Sequence, residues 1–341
     1  MRPSEIVPVF VGLDYHDAVV QVCVLDSQGQ GLLNRACRND WGVLREAVLA
    51  VAPGARVYAA IEACTGAADL TDELVERAGW SVDLAHPGYV ARIKQSPDKH
   101  DWGDARLLAD LERVGYLPQV WLAPQAVREL RRLVRYRQQL ANEIRNTRLR
   151  IRALLREHRV RGPGRAWTRL WLSWLKTNED LPEQTQWVIE QHLLNLERLR
   201  EAMGKVESRL EAVTAGDPLV ERLLQEPGIG PVTAWTIRAE IGRFDRFRSG
   251  KQLARFCAIT PRNASSGPRQ ADAGLVPAGN RDLRTVLIEA AHRLVRYHPR
   301  WSALGASMRK RGKPGSVVAA AVANRWVRWL YHQMQPVSKV A

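Results

Sequence analysis

The sequence predicts an α/β N-terminal domain followed by two mainly helical regions. Three observations predict it. Apolar runs of strand length alternate with helical patterns up to about residue 85. From about 124 to 212 the apolar period is helical, with no strand signal. Beyond Asp217-Pro218, short helical patterns are punctuated by Gly- and Pro-rich turns. The 341 residues suffice for two or three domains, and a hydrophobic content of 45% excludes a disordered chain.

Residues 7–13 (Val-Pro-Val-Phe-Val-Gly-Leu) read as a buried strand ending at Asp14, and 18–25 as a second strand. The turn Asp26-Ser27-Gln28-Gly29 leads into a third strand near 31–36. Asn39 or Asp40 caps a helix over 41–51. Residues 56–61 form another strand, ending at Glu62. Thr65-Gly66 opens a helix to about Ala78, and 80–85 make the last strand before further helical patterns. Three consecutive strands and then strand–helix alternation give a sheet with a meander at one side. That is the RNase H-like order.

The segment 124–161 carries twelve arginines against three glutamates. So one-sided a surplus favours a face that tracks phosphates over a merely solvated helix. Gly162-Pro163-Gly164 is the expected end of that helix. Trp167, Trp171 and Trp174 follow at i, i+4, i+7 and read as core packing rather than base stacking. A third helix, about 183–213, places Leu193, Leu196, Leu199, Met203, Val206 and Leu210 on one stripe. The pair predicts an antiparallel hairpin, or a coiled coil that dimerises. The expected divisions are 1–123, 124–215 and 216–341.

Lys and Arg outnumber Asp and Glu by 51 to 36, a net charge of +15. A polyanion partner is implied, nucleic acid before a membrane surface. No apolar run approaches the ~20 residues that span a bilayer, and the N-terminal residues carry no signal-peptide pattern. Cys23, Cys37, Cys64 and Cys257 lack CxxC spacing and lie mostly in apolar contexts, as buried thiols of a reducing cytoplasm would. The eight histidines form no HxxxH or HxH pair, so a zinc site is not expected.

Four acids stand out. Asp101 and Asp104 are i, i+3 and share a helix face. Asp14 and Glu62 end strands that are neighbours in an RNase H-like sheet. Such a set suits divalent cations acting on a phosphodiester. Taken singly, each acid also reads as a turn residue, a solvated strand end or a helix N-terminal charge. Pro227-Gly228-Ile229-Gly230-Pro231 reads as the hairpin of a helix-hairpin-helix element, its glycines allowing close approach to a phosphate, or as an ordinary turn between helices. In Thr260-Pro261-Arg262-Asn263-Ala264-Ser265-Ser266-Gly267-Pro268-Arg269, a serine lies between arginines. Its hydroxyl could attack phosphorus, although Ser-Ser-Gly is also a common loop sequence. Gly279-Asn280-Arg281-Asp282-Leu283-Arg284 enters a helix with two more arginines suited to phosphate or to solvent.

Together these motifs resemble the IS110/IS1111 family of insertion-sequence transposases. They are Gly-Leu-Asp14, Glu62-Ala-Cys-Thr-Gly, Lys-His-Asp101-x-x-Asp104-Ala, a basic helical middle, Glu-Pro-Gly-Ile-Gly-Pro, Thr-Pro-Arg-x-x-Ser-Ser-Gly and Gly-Asn-Arg-x-Leu-Arg, spanning essentially the whole chain. The resemblance implies a RuvC-like domain with the acidic set Asp14, Glu62, Asp101 and Asp104 around Mg²⁺, with Mn²⁺ as an alternative. It implies a C-terminal domain whose nucleophile is Ser266, with Ser265 second. It implies a coiled-coil middle that supports dimers or tetramers, with acids of one subunit facing the serine of another. Its expected partners are target and donor DNA and a structured non-coding guide RNA, with no membrane, at the nucleoid of a bacterial cytoplasm. Phosphate contacts are expected from Gly228, Gly230, Arg262, Arg269, Arg281 and Arg284, and from Arg145, Arg148 and Arg152 of the basic helix. The chain departs from the family at Tyr15-His16-Asp17 and at Leu275-Val276-Pro277-Ala278, where a frequent lysine is absent. Two other readings stay open: a RuvC-type metal-dependent nuclease with a structural serine, and a non-catalytic nucleic-acid-binding protein.

Overall fold

The computed structural model describes residues 7–94, 100–263 and 272–335. The chain divides into two compact units, Met1–Leu122 and Ala123–Ala341.

The first unit is built on a six-stranded sheet. Its elements run β1 (Pro8–Tyr15), β2 (Val19–Leu25), β3 (Gly31–Arg38), α1 (Trp41–Val51), β4 (Arg56–Glu62), α2 (Ala67–Ala78), β5 (Ser81–Ala85), α3 (Pro87–Ile93), α4 (Asp101–Arg113) and β6 (Gln119–Val120). The strand order is β3-β2-β1-β4-β5-β6. β1, β2 and β3 form the antiparallel meander, and β1, β4 and β5 run parallel. Helices cover both faces. On one face Val9, Val11 and Leu13 of β1 join Leu44 and Val48 of α1 and Leu70 and Leu74 of α2 in a continuous core. On the other, Phe10 packs with Cys23, Leu25, and Ala105 and Ala109 of α4. The approach of α4 is possible because residue 12 is glycine. A Cβ there would lie 1.8 Å from the Ala105 carbonyl oxygen and 2.6 Å from the Ala109 nitrogen. Asp40 is the cap of α1, its carboxylate accepting from the Val43 N–H.

The second unit opens with two long helices, α5 (Gln125–Glu157) and α7 (Glu183–Thr214), each about 50 Å long. They pack against each other as a hairpin, closed at its far end by α6 (Arg169–Lys176). A separate apolar core fills that end: Ile151, Leu155, Trp171, Leu175, Leu193 and Leu196, with Trp167 and Trp174 against it. The other end of the hairpin, through Leu130, Val134, Val206 and Leu210, merges into the core of the remaining helices. Those are α8 (Pro218–Leu224), α9 (Pro231–Ile241), α10 (Gly250–Phe256), a hairpin of β7 (Pro261–Asn263) and β8 (Asp272–Leu275), α11 (Arg281–Tyr297), α12 (Pro299–Lys310) and α13 (Gly315–Gln333). Nearly every residue of α9 from Thr233 to Ile241 is buried. α10 closes on α13 at Gly250, where a Cβ would come within 2.8 Å of the Arg328 carbonyl oxygen.

Several expectations are corrected. β5 is not the last strand, because Gln119-Val120 adds an antiparallel edge to it. The region beyond Asp217-Pro218, expected as short helices punctuated by turns, also holds the antiparallel strand pair β7 and β8. The basic helix ends at Glu157, well before Gly162, and Arg159 takes a left-handed φ of 57°. Gly162 is instead wedged against Trp171 and Trp174. Trp167 precedes α6 rather than lying on it, with φ 72°. Cys64 is exposed, whereas Cys23, Cys37 and Cys257 are buried as expected. Among the described residues, no helix is long and apolar enough to cross a membrane.

Candidate active site

Strand parity delivers the first two acids. Phe10 and Gly12 face α4, so Asp14, two residues on, continues that side of the sheet. On β4, Ala60 packs with Ala85, Val90 and Leu108 on the same side, and Glu62 follows it. The parallel register pairs Leu13 with Ile61, so Asp14 and Glu62 close adjacent strands at the same edge. α4 begins at that edge with Asp101 and Asp104 in its first turn, where the helix dipole favours negative charge.

A histidine joins them. His16 Nε2 lies 3.5 Å from Asp14 Oδ2 and 3.6 Å from Asp101 Oδ2. The ligand atoms of these three residues all fall within 4.8 Å of one another. Asp14 is largely shielded and Asp101 largely exposed, at 18% and 55% of side-chain area, so the cluster has a protected wall and an open mouth. Asp104 forms an ion pair with Lys94. The thiol of Cys64 registers the local field. Although the residue is exposed, the protein around its sulfur removes part of the water and pushes its pKa up, the Ala67 N–H opposes this, and the charges of Glu62, Asp14 and Asp17 push it further up.

The supports around the cluster are polar residues of β2, β3 and the turn after β3. Gln21 on β2, opposite Asp14, donates to Asn34 Oδ1 at 2.7 Å. Asn34 in turn donates to the Trp102 carbonyl at 3.1 Å, so the turn carrying Asp101 and Asp104 is tied to the sheet. Asn39 donates to the carbonyls of His16 and Asp17, fixing the loop after Asp14. Tyr15 lies against Gly66, where a Cβ would meet the phenol oxygen at 2.1 Å.

Two carboxylates and an imidazole within reach of one point form a donor set that fits a divalent cation. His16 was not foreseen as a member. Its only signal was position, two residues past the strand-end acid. Gln21 carried a weak signal, as a lone polar residue in an apolar strand, whereas Asn34 sits beside Arg35 on the largely exposed β3.

The other expected site residues are distributed as follows. Ser265, Ser266 and Arg269 lie outside the described residues. Arg262 is exposed on β7 and Arg281 at the start of α11. Arg284 bends back toward the carbonyls of Val276 and Pro277. Asn280 caps α11, accepting from the N–H groups of Asp282 and Leu283. Gly228 adopts φ +85° in the turn between α8 and α9, and its carbonyl accepts from Arg293. Gly230 caps α9 in extended conformation. On α5, Arg145 and Arg152 are exposed, but Arg148 is half-buried over the Trp167 ring at 5.3 Å. Other arginines of that helix are engaged within the protein. Arg135 makes two hydrogen bonds to the buried Glu240, at 2.9 and 3.1 Å, and Arg137 pairs with Glu207. The free basic surface of α5 is therefore narrower than the arginine count suggests.

An α/β sheet of this order, with acids at the ends of β1 and β4 and at the start of a covering helix, is the layout of a RuvC-like DEDD domain. The comparisons agree. Residues 11–160 match a DEDD transposase family profile, and residues 220–306 match the "Transposase IS116/IS110/IS902 family". A probable family 20 transposase of Pseudomonas aeruginosa is 31% identical, over 94% of this chain and 95% of that protein. The transposase for insertion sequence element IS1111A of Coxiella burnetii is 29% identical, over 94% and 88%. The transposase for insertion sequence element IS1328 of Yersinia enterocolitica is 24% identical, over 68% and 69%. The chain belongs to the IS110 family of transposases.

Proposed function

We propose that this transposase recombines DNA by attack of a serine hydroxyl on a phosphodiester held at a divalent-metal site, at positions chosen by a guide RNA. The observation that carries the metal site is the convergence of Asp14, His16 and Asp101 within 4.8 Å, with Asp104 one turn further along α4 and Glu62 on the next strand. Asp14, Glu62, Asp101 and Asp104 would hold Mg²⁺ or Mn²⁺. When bound, the ions neutralise the scissile phosphate and orient it for in-line displacement.

Ser266 is the nucleophile in this reading. An Oγ–phosphorus bond forms and the bond from phosphorus to the departing sugar oxygen breaks. The serine proton is lost and the departing oxygen ends as a hydroxyl. The phosphoserine ester conserves the bond, so a strand hydroxyl reverses the exchange and reseals the joint without an external energy source. Ser265, Ser266 and Arg269 fall in sequence between β7 and β8, and exposed Arg262 and Arg281 flank them in sequence. Those arginines clamp phosphates. The turn at Gly228 and Gly230 serves as a helix-hairpin-helix contact that positions the backbone without reading bases. Arg145 and Arg152 extend the basic surface. The coiled-coil hairpin of α5 and α7 supports a dimer or tetramer.

The test is a denaturing gel with cognate DNA, guide RNA and Mg²⁺. Wild type and Ser265→Ala should give a covalent protein–DNA adduct, and Ser266→Ala and Asp14→Asn should give none. Free 5′-phosphate ends without an adduct would replace the serine route by hydrolysis. Recombination at the wild-type level without added RNA, after nuclease treatment of the protein, would remove the guide.

A further inference from the structure

The most one-sided stretch of the chain lies outside every motif considered above. No Asp or Glu follows Glu289, whereas ten Lys and Arg do. The structure sets two of them on one face of α13 and two more, Arg300 and Lys313, beside it. Arg325, Arg328 and His332 are exposed at i, i+3, i+7. Three adjoining hollows run beside this face, with volumes of about 540, 620 and 730 Å³. Arg328 lines all three. Arg300 adds charge to the first, Arg248 and Lys251 to the second and Lys313 to the third, and among the described residues no carboxylate lines any of them. Aromatic rings alternate with the charges. Half-buried Trp329 lines the first hollow and half-buried Tyr331 the second. Arg325 also donates to the Ala321 carbonyl of its own helix, which holds it along the groove.

We infer that this groove on α13 binds a single-stranded polynucleotide, with Arg300, Arg325 and Arg328 on its phosphates and Trp329 against a base. The hollows fall in the size range of small-ligand pockets, roughly 300–1,000 Å³. A duplex keeps its bases stacked inside and uses only the charges. A single strand can use both the charges and the ring faces. Among the described residues that line the hollows these arginines meet no carboxylate, so binding releases counterions from the strand without displacing one of those residues from an ion pair. The choice of nucleic acid as ligand rests on the proposed function. The groove itself does not depend on the acidic site.

Fluorescence anisotropy on the full chain tests this. The probes are a labelled 20-nucleotide oligo-dT, the matching oligo-rU and a 20-base-pair duplex, each across a salt series. Replacing Arg300, Arg325 and Arg328 together by Gln should weaken both single strands at least tenfold. It should lower the salt slope by about 2, at ~0.7 per phosphate contact on a single strand, and it should affect the duplex less. A stronger effect on oligo-dT identifies a displaced DNA strand as the ligand, and a stronger effect on oligo-rU an RNA segment. Photocrosslinking of 5-iodouracil oligonucleotides to the wild-type protein should label the peptide around Trp329, a readout that needs no variant. The triple variant should keep the wild-type affinity for Mn²⁺, so failure of the acidic site and failure of the groove are separable. Unchanged single-strand affinity and salt slope in the folded triple variant would overturn the proposal. So would equal losses for duplex and single strands, or crosslinks confined to other helices.

Discussion

Replacing Gly12 by alanine should damage the acidic site through backbone displacement alone. The added Cβ would sit 1.8 Å from the Ala105 carbonyl oxygen and 2.6 Å from the Ala109 nitrogen. Both are main-chain atoms of α4, so no side chain can swing away. Restoring van der Waals contact requires the helix to withdraw by about 1.5 Å. Overpacking of this kind costs about 1–3 kcal/mol. The same movement carries Asp101 and Asp104 away from Asp14, and a displacement near 1 Å can cost ~100-fold in rate. Gly103→Ala is the matched control. It lies on the same helix between the two acids, with open space at its Cβ. It should leave activity intact and stabilise by up to ~1 kcal/mol through helix propensity. The assays are thermal unfolding, Mn²⁺ affinity by electron paramagnetic resonance, and strand cleavage. A Gly12→Ala protein with wild-type melting temperature and metal affinity would refute the argument that α4 is seated by that glycine.

Three further outcomes are expected. Asn34→Ala cuts the Gln21–Asn34–Trp102 chain, and it should weaken Mn²⁺ binding by about 10- to 100-fold while moving the melting temperature only a few degrees. Glu112 is pushed up to about 7 by burial, with Asp83 adding to it. Its folded form therefore holds a proton that the unfolded form releases near 4.5. Its contribution to stability is present at low pH and is lost as pH rises through about 7. Glu112→Gln should raise stability at pH 8 by about 1 kcal/mol after allowance for solvent screening, and change little at pH 4, as melting curves at the two pH values will show. Glu240→Gln leaves Arg131 and Arg135 without their buried partner. It should cost about 1–3 kcal/mol, read as a lower urea midpoint with an unchanged slope.

β1, β2, β4 and β5 were legible as largely apolar runs closed by a turn or an acid, and β3 from the turn that precedes it. β6 was not, since Gln119-Val120 is two residues whose pairing is decided by β5. The end of the basic helix was misjudged for a tertiary reason. Gly162 serves to admit Trp171, while the helix stops earlier at Glu157. In the acidic region, Asp101 and Asp104 could be placed on one helix face by spacing. That Asp14 and Asp101 share a histidine could not, because His16 reaches them across a strand end. The arginine count on α5 overstated the free charge for the same reason. The partners of Arg135 and Arg137 lie 105 and 70 residues away, beyond any local pattern.

The uneven exposure of the four cysteines has a practical consequence. Cys64 is the single surface thiol of the set, and it stands beside Glu62 and Asp14. Its raised pKa slows alkylation at neutral pH, so mildly alkaline conditions will favour coupling. The native chain thus comes with its own attachment point for a nitroxide or fluorophore at the rim of the acidic cluster. A paramagnetic ion arriving there would broaden or quench the label in proportion to occupancy, giving a direct titration of the centre with no residue replaced.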